Sequence, residues 1–331
     1  MSARGRISWP NALVISYTLS GWVMGIYWLT LAGWGWNAAG VLLVAHTLVC
    51  SGYLIHDCAH NAVFPGNKAN DRLGIVMSWL NGACFASYAG LKKKHLRHHS
   101  DRLDVVTFDY RAILRGAPGP IRRLVLGLEW MYVPAVELVM RGLVIAAPFQ
   151  SGTRAERVRV VLYAAIRLMG FAALALVSLK AVALYALAYL LFLSVLRFLD
   201  AFQHTYDVFV SRSLAPAPAD RSRDLRYEYE NTYSNLVSEH WGWLNLLVLN
   251  FPYHNAHHVR PSVPWHRLPA LHRSLYGEKD GQVITCRQLL GSFHRHRVSR
   301  VLATDYGTVA KSGERADTFL GAVGVSFLTA V

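Results

Sequence analysis

Charge is scarce in this sequence. Asp, Glu, Lys and Arg make up 16% of its 331 residues, where soluble chains hold about 25%. Acids are the rarer sign, 20 against 34 bases, which leaves a net charge of +14. With 53% hydrophobic residues, 10 Trp and a positive mean hydropathy, this balance indicates an integral membrane protein. Lipid headgroups and acidic protein partners account for positive charge at a membrane, and no nucleic-acid partner is expected. Cysteine is scarce too. Cys50, Cys58, Cys84 and Cys286 form no C-x-x-C pair, so a disulfide framework, a thiolate zinc site and a c-type haem attachment are excluded. No G-x-G-x-x-G precedes a helix and no haem module is present, so electrons for any redox step must come from another protein. The H-E-x-x-H signature of zinc proteases is missing, because Asp57 stands where the glutamate would be. No composition break separates two cores, and one domain over 1–331 is expected.

What the chain does have is long apolar runs. Those at about 12–36, 38–56, 158–177 and 181–202 are each near the ~20 residues that cross a hydrocarbon core. The first is too long and too rich in Trp and Tyr for a secretory signal. Short turns near 35 and 180 would join the four runs into two hairpins. These turns hold one lysine, while nearly all other Lys and Arg, beginning with Arg4 and Arg6, fall on the opposite side. The positive-inside rule then puts both termini and segments 56–157 and 203–300 in the cytoplasm. The expected fold is an all-α integral membrane protein: two transmembrane helical hairpins, interfacial helices and a cytoplasmic helical cap.

Two further apolar stretches are expected not to cross. Residues 73–91 are interrupted by Asn81, Gly82, Ser87 and Gly90, and 131–149 carry Glu137 and Arg141 at i, i+4, a spacing that suits an ion pair. The patch Leu244–His254 is too short to span. Residues 211–226 read as a surface loop. Residues 301–331 read as a tail, apolar from Thr318 onward, attached to the surface with no assigned role.

Of 15 histidines, nine fall into four clusters: His56 and His60; His95, His98 and His99; His204; and His254, His257 and His258. Each cluster lies just past an apolar run, and the three- and four-residue spacings put the rings on one helix face. Lys92 to His99 alone could be a basic patch beside a membrane. Nine unpaired imidazoles at an interface would be costly, however, and a metal gives them a common partner. A tetrahedral zinc takes four ligands, so nine suit two ions of higher coordination, and an imidazole-rich set is compatible with iron. Metal-bound imidazoles donate their other N–H to a carboxylate or carbonyl. By spacing, Asp57 and Asp200 are best placed for this, ahead of Asp101, Asp104 and Asp207, and Asn250 could hold a metal-linked water. His46 is expected to be hydrogen-bonded inside its helix bundle. His240, His266, His272, His294 and His296 read as surface or structural residues.

His56-Asp57-Cys58-Ala59-His60, His95-Leu96-Arg97-His98-His99 and His254-Asn255-Ala256-His257-His258 resemble the three histidine boxes of membrane-bound fatty acid desaturases. Gln203-His204-Thr205 is similar to the additional ligand-bearing segment of that family. The resemblance runs from about 40 to 265, in the family's order and topology. It implies that the nine histidines hold a non-haem di-iron centre, with O2 as co-substrate, that introduces a C=C bond into a long-chain acyl group. The acyl group could be carried as lipid, as a CoA ester or on acyl carrier protein. The electron donor would be a separate, ferredoxin-like protein; Lys92, Lys93, Lys94, Arg97, Arg122 and Arg123 would attract an acidic donor of that kind and, equally, an acidic acyl carrier protein or phospholipid. Hydroxylation, epoxidation or triple-bond formation would use the same centre, and carotenoid or sterol oxygenases have similar boxes. A zinc hydrolase or receptor is disfavoured by nine ligands and no evident nucleophile.

Overall fold

The computed structural model describes residues 7–211, 224–277, 282–309 and 316–331. Arg4, Arg6 and most of the expected surface loop 211–226 lie outside them. Fourteen α-helices occur among the described residues: α1 (Trp9–Thr30), α2 (Trp34–Ala59), α3 (Asn67–Asn81), α4 (Tyr88–Asp101), α5 (Tyr110–Gly116), α6 (Gly119–Trp130), α7 (Ala135–Ser151), α8 (Arg154–Val177), α9 (Leu179–Asp200), α10 (Leu225–Glu230), α11 (His254–Val259), α12 (Leu268–Tyr276), α13 (Cys286–Arg295) and α14 (Ser299–Leu302). Two short strands, β1 (Asp104–Val106) and β2 (Val208–Val210), complete the set. The chain gathers into two compact units. One runs up to Gly90 and includes Arg141–Val195 and Leu328–Val331; the other holds Leu91–Met140 and Leu196–Phe327.

The first unit contains most of the four helices that are long and apolar enough to cross a membrane, α1, α2, α8 and α9. Helix α1 ends at Thr30, six residues before the apolar run does. The cause is Asn37, whose side chain donates back to the carbonyls of Trp28 (2.9 Å) and Leu31 (3.0 Å), so that Trp34–Asn37 open α2 instead. Lys180, the lone cation expected among these turns, donates to the Leu31 carbonyl and to Asn37 Oδ1, both at 2.7 Å. Small residues let α1 and α2 touch: a Cβ on Gly25 would lie 2.7 Å from the Val44 side chain. His46 bonds to the Tyr17 hydroxyl, as expected of an interior histidine. A capping box of Thr153 and Glu156 starts α8.

The run 73–91 is not one helix. α3 is 15 residues long, short of the ~20 needed to span, and it stops at Gly82, whose φ of +77° suits glycine. Asn81 donates to Ser51 (3.0 Å), and Arg167 donates to the Trp79 carbonyl (2.6 Å). α3 meets the start of α4 where a Cβ on Gly74 would lie 2.1 Å from the Tyr88 ring. Gly74→Ala should therefore destabilise the protein by about 1–3 kcal/mol through overpacking, read as a lower thermal midpoint in detergent. An unchanged midpoint would mean that the ring moves aside freely.

Among the described residues, the second unit holds buried apolar groups. One joins Ala201, Phe202, Tyr233, Ile284, Leu289, Ala316 and Phe319; another holds Leu236, Tyr253, Ala256, Leu268, Leu271 and Val283; a smaller one is Leu103, Val105 and Phe209. β1 and β2 pair in parallel, Asp104 opposite Val208 and Val106 opposite Val210. Glu137 does not answer Arg141 as its spacing suggested. Its carboxylate accepts from Arg197 (2.7 Å), which also donates to Glu129 (2.8 Å), while Arg141 stacks over Tyr189 and Phe192. The end of the chain is also not a surface attachment. Phe319, Ala322, Val323 and Phe327 are buried in this unit. Lys94, expected in a surface patch, is buried as well, and its Nζ donates to the Ser326 carbonyl (2.9 Å). Trp241, Trp243, Leu246 and Leu247, around the short apolar patch, stay exposed.

Candidate metal centre

The second unit brings seven of the nine clustered histidines together. α4 carries His95, His98 and His99 on successive turns, α11 carries His254, His257 and His258, and His204 follows the end of α9. The first group is fixed because β1 follows α4 directly and pairs with β2, four residues beyond His204. One ring nitrogen from each of His98, His204, His254 and His258 lies within 4.8 Å of the others. Their closest atoms are Nε2: His204 to His258 is 3.0 Å, His254 to His204 is 3.1 Å and His258 to His254 is 3.2 Å. Beside them, Nε2 of His99 lies 3.3 Å from Nε2 of His95 and 3.2 Å from Nε2 of His257.

Carboxylates and carbonyls stand behind the rings. His258 Nδ1 meets Glu228 at 3.1 Å, and Arg102 donates to the same carboxylate group at 3.0 Å. His204 Nδ1 lies 3.4 Å from Asp104, and His98 Nδ1 donates to the Leu103 carbonyl at 2.7 Å with Asp104 3.6 Å away. A carboxylate oxygen accepts, so the Nδ1 of His258 donates to Glu228 and its Nε2 presents a lone pair toward the Nε2 of His204, 3.0 Å away. Three Nε2 atoms, of His204, His254 and His258, that converge to 3.0–3.2 Å can share one cation, and that convergence is the observation by which these residues fit a metal. Burial pushes the His98 imidazole down to about 4 and holds that of His258 well below its ordinary value, with neighbouring His204 acting in the same direction on both. Neutral rings are the form that ligates.

His56 and His60 close α2 in the first unit, both buried, with ring centroids 5.1 Å apart. His56 Nδ1 faces Asp57 at 3.1 Å, the contact its spacing predicted. Asp200 behaves differently from its expectation. Its carboxylate is buried and accepts no hydrogen bond among the described residues, and instead of backing His204 it lines a cavity of about 40 Å³ with Lys94, His95, His98, Asp104 and His204. Asn250 donates to the Trp265 carbonyl (3.2 Å), leaving a buried Oδ1 with no partner. Asp101 pairs with Arg97 at 2.7 Å. Two supports were misjudged from sequence. Asp104 ranked below Asp200, and Glu228, on a helix that the loop reading did not anticipate, was missed. A buried Glu beside an Arg was the only signal, and it needed the tertiary contact with Arg102.

Because it faces two rings, Asp104 gives a sharp test. Asp104→Asn should lower iron affinity about 10–100-fold, the usual cost of losing such a support, measured by chelator competition. Affinity equal to the unsubstituted protein would remove Asp104 from the site.

Comparisons with known proteins give the family. The sequence model of the Fatty acid desaturase family matches residues 32–289. The human sphingolipid delta(4)-desaturase/C4-monooxygenase is 28% identical over 280 residues, covering 81% of this chain and 73% of the human one. A match over more than half of the chain, on a protein with four membrane-length helices and clustered histidines, settles its membership: this chain belongs to the fatty acid desaturase family and is an oxidoreductase enzyme.

Proposed function

We propose that the protein is an O2-dependent desaturase that introduces a C=C bond into a long-chain acyl group at a non-haem di-iron centre. The observation that carries this is the set of buried imidazoles whose Nε2 atoms converge to 3.0–3.2 Å with carboxylates behind them. His98, His204, His254 and His258 would hold one iron. His95, His99 and His257 would contribute to the other, completed by His56 and His60. Asp57, Asp104 and Glu228 would orient the rings. The family match runs unbroken through segments of both units, which supports a single catalytic domain over the chain.

When bound, iron supplies the redox chemistry by which O2 oxidises an unactivated methylene. The residues do the rest. Asp104 and Glu228 hold the Nδ1 protons of His204 and His258 in place, so that both rings present lone pairs of fixed direction. Burial keeps bulk water from the centre. The balance requires an external donor: two hydrogens leave the chain, and two electrons and two protons arrive, so that O2 leaves as two waters. A ferredoxin-like donor, recruited by exposed Lys93, Arg122 and Arg123, fits that need. The substrate could be lipid-, CoA- or carrier-linked. We place α1–α2 and α8–α9 as two transmembrane hairpins, with the histidine segments and both termini on the cytoplasmic side. Charge asymmetry supports that orientation.

Hydroxylation is the second reading. The human relative's name joins a desaturase to a C4-monooxygenase activity, and the two outcomes differ only in the fate of the chain after the first hydrogen leaves. Expression in a host of defined lipids, followed by mass spectrometry, separates them. A loss of two hydrogens supports the desaturase, and a gain of one oxygen supports the hydroxylase. Unchanged lipids, with zinc in the protein from iron-replete cells, would overturn both.

A further inference from the structure

We propose that the C-terminal segment 316–327, which lies beyond the residues matched to the family, is the sealing wall of the metal centre, and that Phe327 is the positioning residue controlling access to His95. The proposal rests on the metal-centre reading above. Val325 and Phe327 line the 40 Å³ cavity together with His95, His98, His204 and His254. The Phe327 ring lies 5.7 Å from the His95 ring, centroid to centroid, and is 8% exposed.

The segment is fastened at two points leading up to this ring. Ala322 N–H donates to the Ala201 carbonyl at 2.7 Å. Gly321, with a φ of +75°, sits so close that a Cβ would fall 2.5 Å from that carbonyl. Directly before the ring, Lys94, the residue before His95, donates to the Ser326 carbonyl at 2.9 Å. A wall so anchored holds its place against the ligands.

The size of the cavity explains what such a wall does. At ~10–15 Å³ per water, 40 Å³ holds a few molecules of water or O2. Larger polar molecules are kept out by the phenyl ring. An apolar shell of this kind sets solvent access and local dielectric at a metal. A core phenylalanine elsewhere in the same segment has no such role. Phe319 is fully buried in the apolar group around Phe202 and does not line the cavity.

The test uses iron-loaded, detergent-purified full-length protein and a small water-soluble iron chelator. Phe327→Ala should speed iron extraction on the order of tenfold, with Phe327→Leu in between. Phe319→Leu, a conservative change at a ring of the same segment that packs beside Phe202 and not on the cavity, should leave the rate unchanged. Extraction from Phe327→Ala at the unsubstituted rate overturns the proposal. An equal acceleration in Phe319→Leu overturns it too, since a structural role would move both. These failures differ from failure of the metal-centre reading, in which the unsubstituted protein would hold no iron and the wall would have nothing to seal.

Discussion

Replacing His98 with alanine is expected to lower turnover by more than about 100-fold, beyond what loss of a supporting carboxylate costs. His98 stands where its group of four meets the neighbouring ring of His99. Its centroid lies 4.6 Å from that of His204, 5.2 Å from His258 and 5.3 Å from His99. Its Nδ1 is held by the Leu103 carbonyl, so the ring cannot turn to another task. The substitution removes one donor from a set of four and leaves the apolar runs untouched. The variant should therefore still enter the membrane, and lipid mass spectrometry should find no product. Iron per chain should fall by about half, because metal binding depends on a complete ligand set. Full activity with unchanged iron would remove His98 from the ligands.

The largest expected loss of stability is at Arg197. Its guanidinium is 6% exposed and donates to Glu129 and Glu137 at 2.8 and 2.7 Å. Burial raises the Glu129 carboxyl, and Arg197 opposes that shift. Arg197→Met would strand two carboxylates in an apolar interior. Breaking a buried pair in this way costs about 3–5 kcal/mol. Glu137 also accepts from Gly324 N–H, so the damage would reach the segment that walls the cavity. Combining Arg197→Met with Glu129→Gln and Glu137→Gln should recover most of the loss in thermal midpoint. If the triple variant melts no higher than the single one, the cost lies in packing and not in stranded charge.

How far the sequence could be read depended on how local each cause was. The four membrane-length helices are written in long runs of apolar residues, and the nine histidines are clustered after these or after shorter apolar runs, so both were legible. Asp57 was legible because it adjoins His56. Asp200 was misjudged because α9 ends at Asp200, and a four-residue spacing puts two side chains on one face only while the helix continues. Asp104 reaches His204 through the pairing of β1 with β2, a contact between residues far apart in sequence. Glu228 meets His258 across thirty residues. The fate of Lys94 depended on a carbonyl 232 residues away. Periodicity carries no information about such partners. The final residues were misread because fourteen apolar residues fit a surface anchor as well as a core strap, and only tertiary packing distinguishes the two.

That strap sets the order in which the enzyme can be made. Val325 and Phe327 face the same cavity as His95, His98, His204 and His254, the proposed ligands that leave the ribosome well before them. Every histidine can be synthesised, and its helices inserted, while the wall is still inside the ribosome. A nascent chain therefore passes through a stage with all its ligands present and the centre open. Closure waits until Val325 and Phe327 have themselves left the ribosome and packed beside His95.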